Sequence, residues 1–475
     1  MEYQSLPLKI PMKIIIIVLS VSLPLLAACV DTKRLTKSTI ESSETTTETT
    51  DTIKNLSKDD IRKRLNLYFS PLVENRDFSG VIRIEQKGKL LLTQQYGYAD
   101  WEKFIPHSDS TLYSAASITK GVMAATLVTL ESQEKLKLTD RLVRYFPSLP
   151  DLPSLTIENV LQHKAGLPRD IAITEVADNY NGSLVKWLSA NPELIKVANK
   201  KQYSNVGYAL LAELVQEVTQ QSFESVGKEL ILTPLCMDNS FISIKEASDF
   251  ISGAKPYTAG PEPLGVMSPI PSGPEVGSSG LITTSADLSR WIQAIGQGKF
   301  SRLFDYEDTL GSIHVAEHNG EKYISAQGSL PGYAAEAVYF PETGISIIYL
   351  GNLFSYPVLS MGTTLKKLLD KDWQVSSEST VIREDLTSHH LRNQGRYQHP
   401  DFGVIDIKHE AKRGGVFLSM PNMEEYWNFY LTPIANGAFH MRAFNIMLTP
   451  KAGGGFMSKQ ILSHDKFREL DVDKI

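Results

Sequence analysis

Ser114-Ala115-Ala116-Ser117-Ile118-Thr119-Lys120-Gly121-Val122-Met123-Ala124-Ala125-Thr126-Leu127 is the stretch on which the fold turns. It places a Ser and a Lys three positions apart and follows them with an apolar run. On a helix, residues three apart share a face, so Lys120 Nζ reaches Ser117 Oγ. The helix N-terminus beside Ser117 favours negative charge that develops there. A desolvated Lys with cationic neighbours becomes neutral and takes the Ser proton. The apolar run from Val122 to Leu127 buries the helix in a core and holds the pair still.

S-x-x-K alone specifies little. The chain holds five other matches, Ser132/Lys135, Ser183/Lys186, Ser225/Lys228, Ser252/Lys255 and Ser463/Lys466. Each is accounted for as a solvated helix or loop pair. The second element that favours Ser117 is Tyr203-Ser204-Asn205. A Tyr beside a Ser–Lys pair acts as a second acid and base, and an Asn two residues on hydrogen-bonds the Lys and a substrate amide. The same three residues also read as a turn that caps a helix starting near Val206.

Outward from this centre, the pattern defines a domain. Residues 59–72 are helical in character. Gly80-Val81-Ile82-Arg83-Ile84-Glu85 and Lys89-Leu90-Leu91-Leu92-Thr93-Gln94 are short strands around a turn at Lys87-Gly88. A helical block comes next, over about 117–220, with Leu210, Leu211, Leu214, Val215 and Val218 on one face. Residues 284–295 form another helix, with Ser285 as its cap and Trp291 and Ile292 on one side. Strands return at Ala335-Glu336-Ala337-Val338-Tyr339-Phe340 and Gly344-Ile345-Ser346-Ile347-Ile348-Tyr349-Leu350, and a helix spans about 359–370. Strands, helices, then strands and a helix imply an α/β domain: an antiparallel sheet assembled from both ends, flanked by helices, with a helical lobe between.

Residues 380–475 differ. Gly403-Val404-Ile405-Asp406-Ile407-Lys408 and Gly415-Val416-Phe417-Leu418-Ser419-Met420 are strand-like, and Gly, Pro and Asn punctuate the residues after them. This implies a small all-β barrel without a long helix. His389-His390, in the segment before it, reads as a solvated pair rather than a metal site.

The N-terminus is an address. Lys9 and Lys13 precede the apolar run of residues 14–28, and small residues close it, the layout of a secretory signal. The run is shorter than the ~20 residues a membrane span needs. It ends Leu26-Ala27-Ala28-Cys29, which resembles the lipobox of bacterial lipoproteins and implies lipidation of Cys29. Residues 30–58 are rich in Thr, Ser and Glu, too polar to offset the cost of ordering, and read as a tether. The expected organisation is thus signal and lipobox over 1–29, tether over 30–58, the α/β domain over 59–375 and barrel over 376–475. The expected location is the bacterial cell envelope outside the cytoplasm, at the outer membrane where there are two.

Composition excludes several classes. The 475 residues carry 48 Lys and Arg against 54 Asp and Glu, a net charge of −6, so nothing points to nucleic acid. Two Cys exclude a disulfide scaffold and a Cys-rich zinc site. Cys236, between Leu235 and Met237, is expected to be a small core residue.

These residues together resemble the serine β-lactamase-like, penicillin-recognising hydrolases, in the branch with class C β-lactamases, D-Ala-D-Ala carboxypeptidases, esterases and D-amino-acid peptidases. The resemblance covers roughly 60–370. It rests on Gly97-Tyr98-Ala99-Asp100, the Ser117 stretch, Leu161-Gln162-His163-Lys164-Ala165-Gly166-Leu167-Pro168, Tyr203-Ser204-Asn205-Val206-Gly207-Tyr208, Gly280-Leu281-Ile282-Thr283-Thr284-Ser285-Ala286-Asp287-Leu288 and Gly328-Ser329-Leu330-Pro331-Gly332-Tyr333. The C-terminal domain resembles the lipocalin-like appendages of some members.

The resemblance implies acylation of Ser117, with Lys120 and Tyr203 handling protons and Asn205 beside them. It implies an oxyanion hole from the backbone N–H groups of Ser117 and Ser329, and substrate contact at Gln327 and Gly328. It implies no cofactor, and it makes His163 part of a structural turn. The family's basic residue on the cleft strand is replaced: aligned on Gly328, the chain reads Ala326-Gln327-Gly328. That weakens carboxylate-bearing substrates, β-lactams included, and favours neutral esters or amides, unless Lys322 or Arg169 supplies the charge. The expected partners are a small ester or peptide substrate and, through the anchor, a membrane. The alternative is a degenerate member that binds cell-wall peptide or a protein partner without turnover.

Overall fold

The computed structural model describes residues 57–74, 76, 78–170, 183–197, 201–243, 245, 247–258, 265–266, 276–306, 309–318, 320–354, 361–370, 383–421, 428–441, 446–463 and 466–475. The signal, Cys29 and all but the end of the tether lie outside these residues. No helix among the described residues is long and apolar enough to cross a membrane.

One antiparallel sheet organises the first domain. Its strands are β1 (Gly80–Gln86), β2 (Lys89–Tyr96), β3 (Ile313–His318), β4 (Glu321–Leu330), β5 (Tyr333–Phe340) and β6 (Ile345–Gly351). Their spatial order is β3-β4-β5-β6-β1-β2. The N-terminal hairpin closes onto the last strand, with Gly80 opposite Gly351 and Ile84 opposite Ile347. This is the sheet built from both ends that the sequence order implies.

Alternation along the strands gives the sheet two apolar faces. Val81, Ala335, Ala337, Ile348 and Leu350 enter the larger core. That core also holds α2 (Thr119–Ser132), α3 (Ile157–Leu161), α4 (Leu184–Ala190), α5 (Asn205–Thr219), α6 (Phe223–Gly227) and α7 (Ser285–Gly296). On the other face Ile82, Ile84, Val338, Ile345 and Ile347 pack against α1 (Lys58–Glu74) and α8 (Met361–Leu368). Each fully buried Leu, Ile, Val or Phe contributes ~1.5–3 kcal/mol, so both layers stabilise the sheet strongly. Helix α2 has no wet side: Thr119 to Val128 is buried without a break.

The second domain is a closed barrel of eight strands in chain order: β7 (Gly395–His399), β8 (Gly403–Glu410), β9 (Gly415–Ser419), β10 (Asn428–Ile434), β11 (Ala438–Met441), β12 (Ile446–Pro450), β13 (Phe456–Ser463) and β14 (Lys466–Lys474). An eight-stranded barrel is just wide enough for side chains to fill. Ile405, Val416, Leu431, Phe439 and Phe456 do so here, and Leu386 and Leu391, flanking and ending α9 (Ser388–Leu391), pack against them.

Three local expectations are corrected. Thr284, not Ser285, caps α7, accepting the Asp287 N–H at 3.3 Å. The helix expected over about 359–370 is present at Met361–Leu368, with residues 359–360 outside the described residues. Cys236 is exposed in left-handed backbone, φ 55°, where a helical stretch ends. His390 is buried rather than solvated: its Nδ1 lies 2.8 Å from Thr387 Oγ1 and its Nε2 2.9 Å from the Ile434 carbonyl.

Candidate active site

The turn that presents Ser117 is strained and tightly held. Ala116 has φ 48° in the left-handed region, rare for a residue with a Cβ. A short 3-10 turn, Ala116–Ile118, then leads into α2. Thr119 Oγ1 donates to the Ala116 carbonyl at 2.6 Å and accepts the Leu281 N–H at 2.9 Å, which ties the turn to the next segment. Ala115, Ala116 and Ile118 are buried, while Ser117 remains half-buried and reachable.

Strand β4 passes directly behind this turn. A Cβ on Gly328 would lie 2.2 Å from the Ala115 carbonyl oxygen and 2.8 Å from Ser117 N. Only glycine allows that approach. The close passage sets β4, and with it Ser329, against the Ser117 backbone.

Three functional groups converge. Ser117 Oγ is 2.8 Å from the Tyr203 hydroxyl and 3.1 Å from Lys120 Nζ. Lys120 is fully buried, and its Nζ also donates to the Ser278 carbonyl at 2.7 Å. The Nζ lies 4.9 Å from the Tyr203 ring and 5.6 Å from the Tyr208 ring. The two phenols differ in use. Tyr208 is buried, donates to the Leu161 carbonyl at 2.7 Å, and burial raises its hydroxyl far above the ordinary phenol range. It is a neutral wall.

Tyr203 is held from below. Ser204 caps α5, accepting the Gly207 N–H at 2.8 Å and donating to the Pro168 carbonyl at 2.6 Å. Ser204 N donates to His163 Nδ1 at 3.1 Å, and the His163 ring lies 4.5 Å from that of Tyr203. His163 thus buttresses Tyr203 from its turn.

Other expected residues lie differently. Asn205 Nδ2 donates to Asp170 at 2.6 Å, not to Lys120. The Gln327 side chain leaves on the opposite strand face from Gly328 and donates to Glu336 at 2.8 Å, so it is not a side-chain contact for substrate. Ala326 shares the Gly328 face but is a core residue, 1% exposed, opposite Ile313 and Ala337. A larger cation there would meet packed core rather than an open cleft.

Lys322 sits six residues up the strand from Gly328, ~20 Å along it, too far to replace the missing charge. Arg169 is nearer: its guanidinium carbon is 5.7 Å from the Tyr203 ring centroid, and it pairs with Asp170 at 2.6 Å. The pair is locally neutral. Of the other S-x-x-K serines, Ser183 caps α4 and donates to Glu213 at 3.0 Å.

Ser278 is the contact that pattern reasoning missed, because it acts through its carbonyl. The signal was the Gly277-Ser278-Ser279-Gly280 run, whose two glycines have φ 103° and 111°. Among the described residues no group of three or more His, Cys, Asp or Glu is placed to hold a metal.

The beta-lactamase family profile matches residues 65–369, and the chain belongs to that family of serine hydrolases. Over 330 residues it is 25% identical to the flp protein of Staphylococcus aureus strain N315, covering 64% of this chain and 65% of that relative. The chain therefore spans about two thirds of that relative's length. FmtA of Staphylococcus aureus superposes with a TM-score of 0.57 at 20% identity, over 67% of this chain and 92% of that one. An octameric penicillin-binding protein homologue from Pyrococcus abyssi gives 0.57 at 19% identity, over 87% of this chain and 100% of that one. At such identities the structural likeness speaks for the fold.

The Gly328 approach generates a direct test. Gly328→Ala should lower the rate of Ser117 acylation by ~10²-fold or more, the scale of losing an oxyanion donor. Its thermal unfolding should remain cooperative. Unchanged acylation kinetics with a fluorophosphonate would show that β4 does not need this contact.

Proposed function

We propose that the protein is a serine hydrolase that forms an acyl-enzyme on Ser117 from an ester or amide, D-amino-acid peptides included. The observation that carries this is the single oxygen, Ser117 Oγ, lying within hydrogen-bond reach of both Tyr203 and the buried Lys120. A Ser hydroxyl flanked by two proton-exchanging groups is the arrangement that nucleophilic catalysis requires.

In the proposed first step Ser117 Oγ attacks the substrate carbonyl carbon, and its proton passes to the Lys120–Tyr203 pair. The resulting oxyanion takes the N–H groups of Ser117 and Ser329. Tyr203 then protonates the leaving group, and water, deprotonated by the same pair, releases the acid. Asn205, bonded to Asp170, lines the entrance beside Arg169 rather than steadying Lys120.

The substrate class follows from charge. The strand position that carries a cation elsewhere in this branch is buried Ala326, and Arg169 is matched by Asp170. A charge-assisted bond to a substrate carboxylate contributes roughly 1.5–3 kcal/mol, about ten- to a hundredfold in kcat/KM. Without it, neutral esters and amides are the better substrates, and β-lactams poorer ones.

The address at the N-terminus supports a lipid anchor at Cys29 and a place in the bacterial cell envelope. The competing reading, a binding protein without turnover, draws on Asn205 turned to Asp170 and on the absent cation.

Labelling separates the two. A fluorophosphonate should form an adduct on the peptide that carries Ser117, lost in Ser117→Ala. Lys120→Ala should slow it by at least ~10²-fold, and Lys120→Arg should not restore it, since Arg does not deprotonate. An unlabelled, folded wild type would favour the binding protein.

For the substrate class, kcat/KM for a matched acid and methyl ester should favour the ester; a preference for the acid would overturn the charge argument. For the anchor, mass spectrometry of the mature N-terminus should find acylated Cys29, and a different, unacylated terminus would refute it.

A further inference from the structure

The sheet face that packs on α1 and α8 is apolar, with Ala334, Val338, Phe340 and Ile347 among its buried residues. Glu336 interrupts it. Its carboxyl is 2% exposed, and it sits directly opposite Gln327 in the β4–β5 ladder. One oxygen accepts Gln327 Nε2 at 2.8 Å; the other accepts the backbone N–H of Gly362 in the first turn of α8. A buried carboxyl in an apolar layer is costly, and a hydrophobic residue of similar size would stabilise the layer at least as well. Its placement therefore calls for a reason beyond packing.

The reason lies one residue along the strand. Gln327 is joined on one side to Ala326 and on the other to Gly328, the residue pressed against Ser117. The ladder continues Gly328 opposite Ala335 and Ser329 opposite Ala334. None of those four residues has a side chain long enough to specify register. The Gln327–Glu336 bond is the directional cross-strand link at this end, and Gly362 ties it to α8. Register matters because a slip of one residue exchanges the two faces of a strand.

We propose that Gln327 and Glu336 are positioning residues for the oxyanion strand. The proposal rests on the hydrolase reading above. Neither side chain touches the reacting atoms; both act through the backbone of Gly328 and Ser329.

The surroundings leave Glu336 to these two donors. From β4, Glu336 meets Gln327 and, farther along, Tyr323; from β6 it faces Tyr349 directly. Helix α8 brings Gly362 and carries Lys366 and Lys367, and α1 carries Arg64 and Tyr68. Lys366 is committed to Glu321 at 3.1 Å and Asp370 at 3.6 Å. Arg64 is turned to the carbonyls of Leu368 and Asp370. Among the described residues no cation bonds Glu336. Burial therefore outweighs its two N–H donors and pushes the carboxyl up to about 7. A folded value above the unfolded one means that stability is greatest at low pH and is lost as pH rises through 7.

Two measurements on the full chain test this. The first is turnover of a neutral ester. Gln327→Leu should lower kcat by about tenfold with KM within twofold. The exchanged pair, Gln327→Glu with Glu336→Gln, should regain most of that loss.

Hydrogen exchange supplies a readout independent of turnover. The peptide spanning 326–330 should lose protection about tenfold in Gln327→Leu and regain most of it in the exchanged pair. Wild-type protection of that peptide in Gln327→Leu would overturn the proposal, as would Gln327→Leu with unaltered kcat. Failure of the hydrolase reading itself looks different: wild type would then neither turn over ester nor label at Ser117 at any pH.

Discussion

The backbone of β4 runs so close to the Ser117 turn that no side chain fits between them, and the rest of the domain is arranged around that contact. Helix α2 begins just after Ser117 and is approached closely elsewhere by groups that leave no room for a Cβ. Gly121 faces the Trp291 ring at 2.5 Å from its ideal Cβ, and Gly311, φ 75°, lies against the Lys120 carbonyl. Glycines on three sides let the sheet, α7 and the preceding loop close on one buried helix. A side chain at any of these points would move α2 by more than a hydrogen bond tolerates, and Ser117 would leave the reach of its partners.

The electrostatics follow from the same burial. Lys120 is fully enclosed, yet its hydrogen-bond partners are a hydroxyl and a carbonyl, not a carboxylate. Aromatic faces of Tyr203 and Tyr208 complete its surroundings. In the proposed mechanism such a site handles protons with neutral dipoles already oriented, so little reorganisation accompanies the reaction.

Much of this was legible in the sequence. The Ser–Lys spacing, the capping turn before α5 and the strand hairpins are local patterns, and local physics sets them. The antiparallel sheet followed from element order, and the barrel from short strands punctuated by Gly, Pro and Asn. What escaped depends on groups that composition does not display. Ser278 acts through a carbonyl, which any residue possesses. Asn205 finds Asp170 because the chain from Pro168 runs beside the α5 entrance, a tertiary fact. Gln327 and Ala326 were misjudged because reading a strand residue as cleft-facing requires knowing which face is buried; here both are. Cys236 looked apolar by its neighbours but ends a helical stretch in left-handed backbone, which turns it outward.

The order of strands also governs when the molecule becomes competent. β1 pairs with β6, so the sheet behind Ser117 is complete only after residues as distant as Gly80 and Gly351 have met. Closing so long a loop costs entropy before any pairing rewards it, and folds dominated by distant contacts assemble slowly. Ser117 and Lys120 are translated long before the strand that bears Gly328. A nascent chain therefore displays the Ser–Lys motif without the backbone that Gly328 brings against it. On the proposed mechanism, chemical competence arrives with the final strands of the domain rather than with the residue that attacks.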